Sequence, residues 1–220
     1  MKKLLILLFT FSLLGLQTVN SEEFYIEGQV NYHQVDDVDT SSYSDTINGE
    51  VIVGKLTNEY DTDIGLGFEV GAKNVSNSNL RIGLSYSETK IELTKLTVSG
   101  TVDGVAGSAS YTPAQVSDAV GASFDNDIKS YSLNAYYDLE TNGTFTPYVG
   151  VGLGQVDIEN ANDKELSKSL YLGGRHSVND QMYVGLKGAY TMIDGPSDKL
   201  GLTYKDITQK SLSLIVGYNF

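Results

Sequence analysis

The chain has 220 residues, a formal charge of −13, 15 tyrosines and no cysteine. Without cysteine there is no disulfide framework and no thiolate metal site, and this excess of acid argues against nucleic acid as a partner. Mean hydropathy is −0.15, so membrane insertion would have to come from alternating strands whose average polarity hides a lipid face.

Met1-Lys2-Lys3 is a short basic start, and residues 4–16 (LLILLFTFSLLGL) form an apolar run that ends in polar QTVNS. Val19 and Ser21 are placed for signal-peptidase cleavage, which completes the grammar of a secretory signal peptide. A membrane-spanning helix needs about 20 apolar residues, so residues 1–21 are expected to be removed. That leaves one domain over 22–220 with a formal charge of −15, because Lys2 and Lys3 leave with the signal. No cysteine lies near the cut to carry a lipid anchor.

A period of two then runs through the chain. In 24–33 Phe24, Ile26, Val30 and Tyr32 share a face with Gly28, opposite Tyr25, Glu27, Gln29, Asn31 and His33. Residues 63–73 set Ile64, Leu66, Phe68, Val70 and Ala72 against Gly65, Gly67, Glu69, Gly71 and Lys73. After SNSN (76–79), Leu80, Ile82, Leu84 and Tyr86 oppose Arg81, Gly83, Ser85 and Ser87. Residues 128–140 alternate less cleanly, with Tyr131, Leu133, Ala135, Tyr137 and Leu139 as the apolar face, and Asn142-Gly143 then makes a tight hairpin turn.

The second half repeats the scheme. Residues 145–154 put Phe145, Pro147, Val149, Val151 and Leu153 on one face, with Tyr148 and three glycines on the other. Residues 166–177 offer Leu166, Leu170 and Leu172 against Tyr171, Gly173 and Arg175. In 182–192 Met182, Val184, Leu186, Tyr190 and Met192 lie opposite Tyr183, Gly185, Lys187 and Ala189. SLSLIVGYNF (211–220) closes the series with Leu212, Leu214, Val216, Tyr218 and Phe220 on its apolar face.

Eight such strands match the roughly 9–11 residues a tilted strand needs to cross a bilayer. Short links at 76–79, 141–144 and 178–181 alternate with long ones at 34–62, 88–127, 155–165 and 193–207. The fold class expected is therefore all-β, an eight-stranded antiparallel up-and-down transmembrane barrel with long extracellular loops and short periplasmic turns. A soluble barrel would turn its apolar face inward and leave a charged, solvated face outside. Here the second face is rich in Gly, Ser, Asn and Tyr, which suits a narrow lumen. EVIVGKL (50–56) also reads as a strand, either an extramembrane hairpin or part of a ten-stranded barrel. Ile91 and Leu93 continue the alternation above the membrane, and Thr112-Pro113 is placed to start a short helix.

The chain at this point resembles the small eight-stranded outer-membrane barrels of the opacity-protein, surface-antigen and porin-like type. GFEVGAKNVSNSNLRIGLSYSE resembles their second hairpin, and SLNAYYDLETNGTFTPYVGVGLG their fourth and fifth strands. The resemblance implies a location in the cell outer membrane, contact with its lipid and lipopolysaccharide, and a terminal strand read by the barrel-assembly machinery. Leu214, Val216, Tyr218 and Phe220 fit that assembly signal.

An eight-stranded barrel is just wide enough to be filled by its own side chains. Glu27, Glu69, Lys73, Arg81, Arg175 and Lys187 fall on the inner face, where charges must pair or be hydrated. They are expected to form a network that holds the barrel shut, or else a narrow gated path for ions or small solutes. His33 and His176 are the two histidines and sit at opposite ends of the barrel, so they cannot cooperate. A pair of His33 with Asp36 or Asp37 at the rim remains open, without a nucleophile motif. Asp36, Asp37, Asp39, Asp125, Asp127, Asp157, Glu159, Asp163 and Glu165 are oxygen ligands without the spacing of a calcium loop, and read as a solvated acidic rim. Asn74-Val75-Ser76 and Asn142-Gly143-Thr144 match a glycosylation tripeptide but fall in turns. No cofactor and no catalytic residue is assigned. The expected role is structural or surface-interacting, adhesin- or antigen-like, through loops 34–62 and 88–127. The pore is the alternative and a lipid-active enzyme comes third.

Overall fold

A computed structural model describes residues 23–47, 50–120, 125–199 and 201–220; the expected signal peptide lies outside them. In chain order the strands are β1 Glu23–Val35, β2 Val38–Asp39, β3 Tyr43–Ile47, β4 Glu50–Thr62, β5 Ile64–Lys73, β6 Leu80–Val102, β7 Val105–Tyr111, β8 Asn126–Asp138, β9 Phe145–Ile158, β10 Glu165–Ser177, β11 Met182–Ile193 and β12 Ile207–Asn219. One helix, α1 Pro113–Val120, lies between β7 and β8. It opens as the sequence suggests: Thr112 Oγ1 accepts from Gln115 N at 3.4 Å, and Thr112 N donates to Gln115 Oε1 at 2.9 Å. Each side chain satisfies the other residue's backbone, the reciprocal arrangement of a capping box.

Eight strands close a ring in the order β1, β5, β6, β8, β9, β10, β11, β12 and back to β1. The last seam pairs Tyr25 with Asn219 and runs to Val35 with Gln209. Every ladder in the ring is antiparallel. Closure removes the free edges that a sheet could not leave unpaired in hydrocarbon. The ring wears its apolar side outward, as the alternation predicts. Leu66, Leu153, Leu172 and Leu214 are each more than 60% exposed, an arrangement water would penalise and lipid welcomes. On this outer face Phe68, Tyr86 and Tyr131 form a chain of rings 5.7 and 5.1 Å apart, and the charged pair Glu88 and Lys129 borders the band just beyond the two tyrosines. At the other border Tyr218 and Phe220 meet edge to face at 5.2 Å, and Phe220 N donates to Phe24 O across the closing seam.

The strands overrun the bilayer on one side only. β6 is 23 residues long, about twice what a crossing needs. Its upper part pairs with β4 on one flank and β7 on the other. EVIVGKL therefore belongs to an extramembrane hairpin of β3 and β4, and the barrel has eight strands rather than ten. The long links expected as loops at 34–62 and 88–127 are thus largely a sheet, and β9 and β10 likewise climb into the link 155–165. Alternation could not show this, because above the membrane both faces of a strand meet water and the two-residue period fades.

Candidate functional site

Six inward residues of β1 pass through the whole lumen: Tyr25, Glu27, Gln29, Asn31, His33 and Val35, all buried. They mark three layers. The periplasmic layer is charged, the middle one is polar and the extracellular one is apolar.

The charged layer centres on Arg81, 1% exposed. Its Nη1 donates to Glu27 Oε1 at 2.8 Å, and its Nη2 lies 3.6 Å from Asp138 Oδ1. The guanidinium carbon sits 4.4, 4.8 and 5.2 Å from the ring centres of Tyr136, Tyr148 and Tyr25, so the faces of three rings share the cation with the carboxylates. Arg175 pairs with Asp138 from the far side. Glu69 is fully buried and accepts from Tyr25 at 2.6 Å, Tyr136 at 2.8 Å and Asn134 at 2.9 Å, with Lys187 Nζ 3.9 Å away. Lys187 in turn donates to Gln29 Oε1 at 3.0 Å, and Tyr183 to Glu27 at 2.9 Å.

Three acids (Glu27, Glu69, Asp138) thus face three bases (Arg81, Arg175, Lys187). Lys73 does not join them. It ends β5 at the barrel rim and pairs with Glu23 at 2.5 Å. Sequence reasoning put four bases against two acids on the inner face, and Asp138 was the residue it missed. Two signals pointed there: a surplus of buried positive charge, and the parity of β8, where Asp138 is in phase with inward Asn134 and Tyr136. The rings pack on glycines. A Cβ on Gly217 would overlap the ring of Tyr183, and one on Gly71 the ring of Tyr25. Neighbouring strands therefore supply smooth backbone against which each ring lies flat.

Above this plug lies a polar chamber of about 70 Å³, bordered by Asn31, His33, Ser132, Ser169, Gln209 and Ser213 among others. His33 Nδ1 is 2.6 Å from Gln209 Nε2. The ring faces inward, while Asp36 turns away to Lys210 at 2.8 Å, so the possible His33–Asp36 pair does not form. His176 is exposed beside Thr144, at 3.3 Å, near the opposite end.

The uppermost layer is apolar. Val35, Val38, Ile91, Ile128, Val156, Ile158 and Ile193 form a buried cluster. Residues 194–199 and 201–206 cross the mouth above it, held by Ser41 N to Thr203 O at 2.7 Å, Lys205 N to Asp39 O at 2.8 Å and Asn162 N to Ser197 O at 2.8 Å. Several acidic residues of the loops are tied up locally. Asp39 accepts from Thr57, Lys55 and Lys205 at 2.7, 2.9 and 3.2 Å, Asp157 pairs with Lys164, and Asp125 Oδ1 accepts from Leu93 N at 3.1 Å. Among the described residues no three metal-ligating side chains gather.

A closed eight-stranded ring with an apolar exterior and a charge-balanced interior defines a membrane-spanning β-barrel. The sequence profile of the outer membrane protein beta-barrel domain matches residues 4–220, and the chain belongs to that family. Among solved structures it is similar to Neisserial surface protein A, at 14% identity and a TM-score of 0.55, over 91% of this chain and 100% of that one. It is also similar to the outer membrane protein AlkL, at 15% identity and a TM-score of 0.53, over 93% of each. At these identities the likeness concerns the fold. No curated protein sequence matches the chain.

Proposed function

We propose that this barrel is a surface-interaction protein, adhesin- or antigen-like, which works through its extracellular sheet. The observation that supports this reading is strand β7. It pairs with β6 on one side only, all seven of its residues (VAGSASY) are exposed, and none is charged. Edge strands are ordinarily guarded by charge, Pro or a bulge against pairing with another chain, and β7 carries none of these. The hairpin turns on Asp103 and Gly104, both at positive φ (50° and 81°), the two-residue turn that fixes register. In that register the backbone groups of Ala106, Ser108 and Ser110 point away from β6. An extended segment of a partner protein would add there as a further strand.

Bacteria displaying the full protein are expected to adhere to a host-cell layer, and Ser108→Pro, which removes one outward donor but no ladder bond, should abolish adherence. Unchanged adherence of a normally displayed Ser108→Pro variant would sink the edge as the contact. A pore is the weaker alternative because Glu27, Glu69, Arg81 and Lys187 are all buried and mutually engaged across the lumen. Steady single-channel currents from the folded protein, altered by Glu27→Gln with Glu69→Gln, would restore it.

A further inference from the structure

The apolar layer at the mouth is not fully packed. It surrounds a partly open cavity of about 280 Å³ walled by Val35, Ile91, Ile128, Ile158, Ile193 and Ile207. Native interiors contain few voids larger than a water molecule, and an apolar void left empty is a standing cost to stability. A void this large between six strands and a crossing loop therefore calls for an occupant. A dry apolar cavity of about 150 Å³ holds one benzene, so this one has room for a fused two-ring hydrocarbon or a short alkyl chain.

The rim decides the chemistry of that occupant. Asp198 and Lys199 are the charged groups bordering the cavity, and both are engaged. Asp198 accepts from Tyr204 Oη and Leu202 N, each at 2.9 Å, and Lys199 Nζ donates to Glu159 O at 2.7 Å. Their opposite charges leave the rim without a net charge to favour a carboxylate or an ammonium, and a buried ion without a partner is strongly disfavoured. The acidic balance of the whole chain, −13, further repels anions from the mouth. We infer that the extracellular mouth is a binding chamber for one small neutral hydrocarbon, aromatic or alkyl. The chamber stands on the polar layer, with Gln209 bordering both, and the charged plug lies below. A molecule seated here is held at the cell surface and does not pass through the lumen.

The full protein in lipid nanodiscs, labelled at isoleucine δ1 methyls, tests this with naphthalene as the probe. The methyls of Ile91, Ile128, Ile158 and Ile193 should shift saturably. Those of Ile26 and Ile64, which face lipid, should drift in proportion to naphthalene dissolved in the bilayer. Ile193→Trp fills the chamber and should raise the half-saturating naphthalene concentration at least about tenfold. Ile158→Phe serves the same purpose if heat-modifiable gel mobility shows that the first variant does not fold. Linear drift of all methyls alike, or undiminished saturation in a folded filling variant, would overturn the chamber. Equal saturation by decanoate would overturn its neutral specificity.

Discussion

The two ends of the lumen bury different things by different means. At the periplasmic end six charges cancel in a space lined by tyrosine rings, whereas at the extracellular end aliphatic side chains surround an unfilled volume. The plug is held by contacts between residues far apart in the chain, such as Tyr183 with Glu27, 156 positions away. Much of the sheet above the membrane is held by neighbours, through the hairpins β3–β4 and β6–β7. Damage to the plug should therefore be felt by the whole barrel, and damage to the sheet should stay local.

The contrast breaks most sharply at Arg81. Arg81→Met leaves Glu27 and part of Asp138 buried without their cation, and should cost about 3–5 kcal/mol in urea unfolding from lipid vesicles, read by gel mobility. The double variant Arg81→Met with Glu27→Gln should recover much of that loss. A single variant as stable as the parent would show that water, not ion pairing, satisfies the carboxylates. Next comes Gly217→Val, which drives a side chain into the Tyr183 ring and should cost about 1–3 kcal/mol as overpacking does. Adding Tyr183→Ala should return part of it, and strict additivity would argue that the two do not meet.

Effects in the sheet should be smaller and confined. Gly104→Ala puts a Cβ at φ 81° and should cost about 1 kcal/mol locally. Faster amide exchange is expected over 96–111, with barrel unfolding unchanged. The weakest lever is pH at Asp39, whose carboxyl is drawn from an ordinary 3.8 down to about 2, first by the Thr57 hydroxyl and then by Lys55. A depressed carboxylate pKa stabilises the folded sheet fully above the unfolded value and loses that contribution as pH falls from 3.8 toward 2. Exchange at β2 and β4 should therefore rise across that window and not above it, and Asp39→Asn should raise it at neutral pH and flatten the response.

Much of this was legible in the sequence. Parity placed Glu27, Glu69, Arg81 and Lys187 on the inner face and Leu214, Val216 and Phe220 on the outer, because alternation is a local property of any strand. Parity did not give height along the barrel axis. Lys73 has the inward phase and still misses the plug, since it ends its strand at the rim. The apolar chamber was hidden for a similar reason: Val35, Ile91, Ile128, Ile158 and Ile193 are single apolar residues near the upper reaches of five separate strands. β4 read as a strand and could not be assigned to ring or sheet until its partners were known.

The sequence by itself determined which side of each strand meets lipid and which meets the lumen, and which connections run long. Those follow from a two-residue period and from turn residues, each readable within about ten positions. Only the tertiary structure decided which charges cancel, which strand ends enclose the chamber, and which edge is left open. Each depends on the stagger between strands and on closure of the ring between β1 and β12, and stagger is set by long-range pairing that no local pattern encodes.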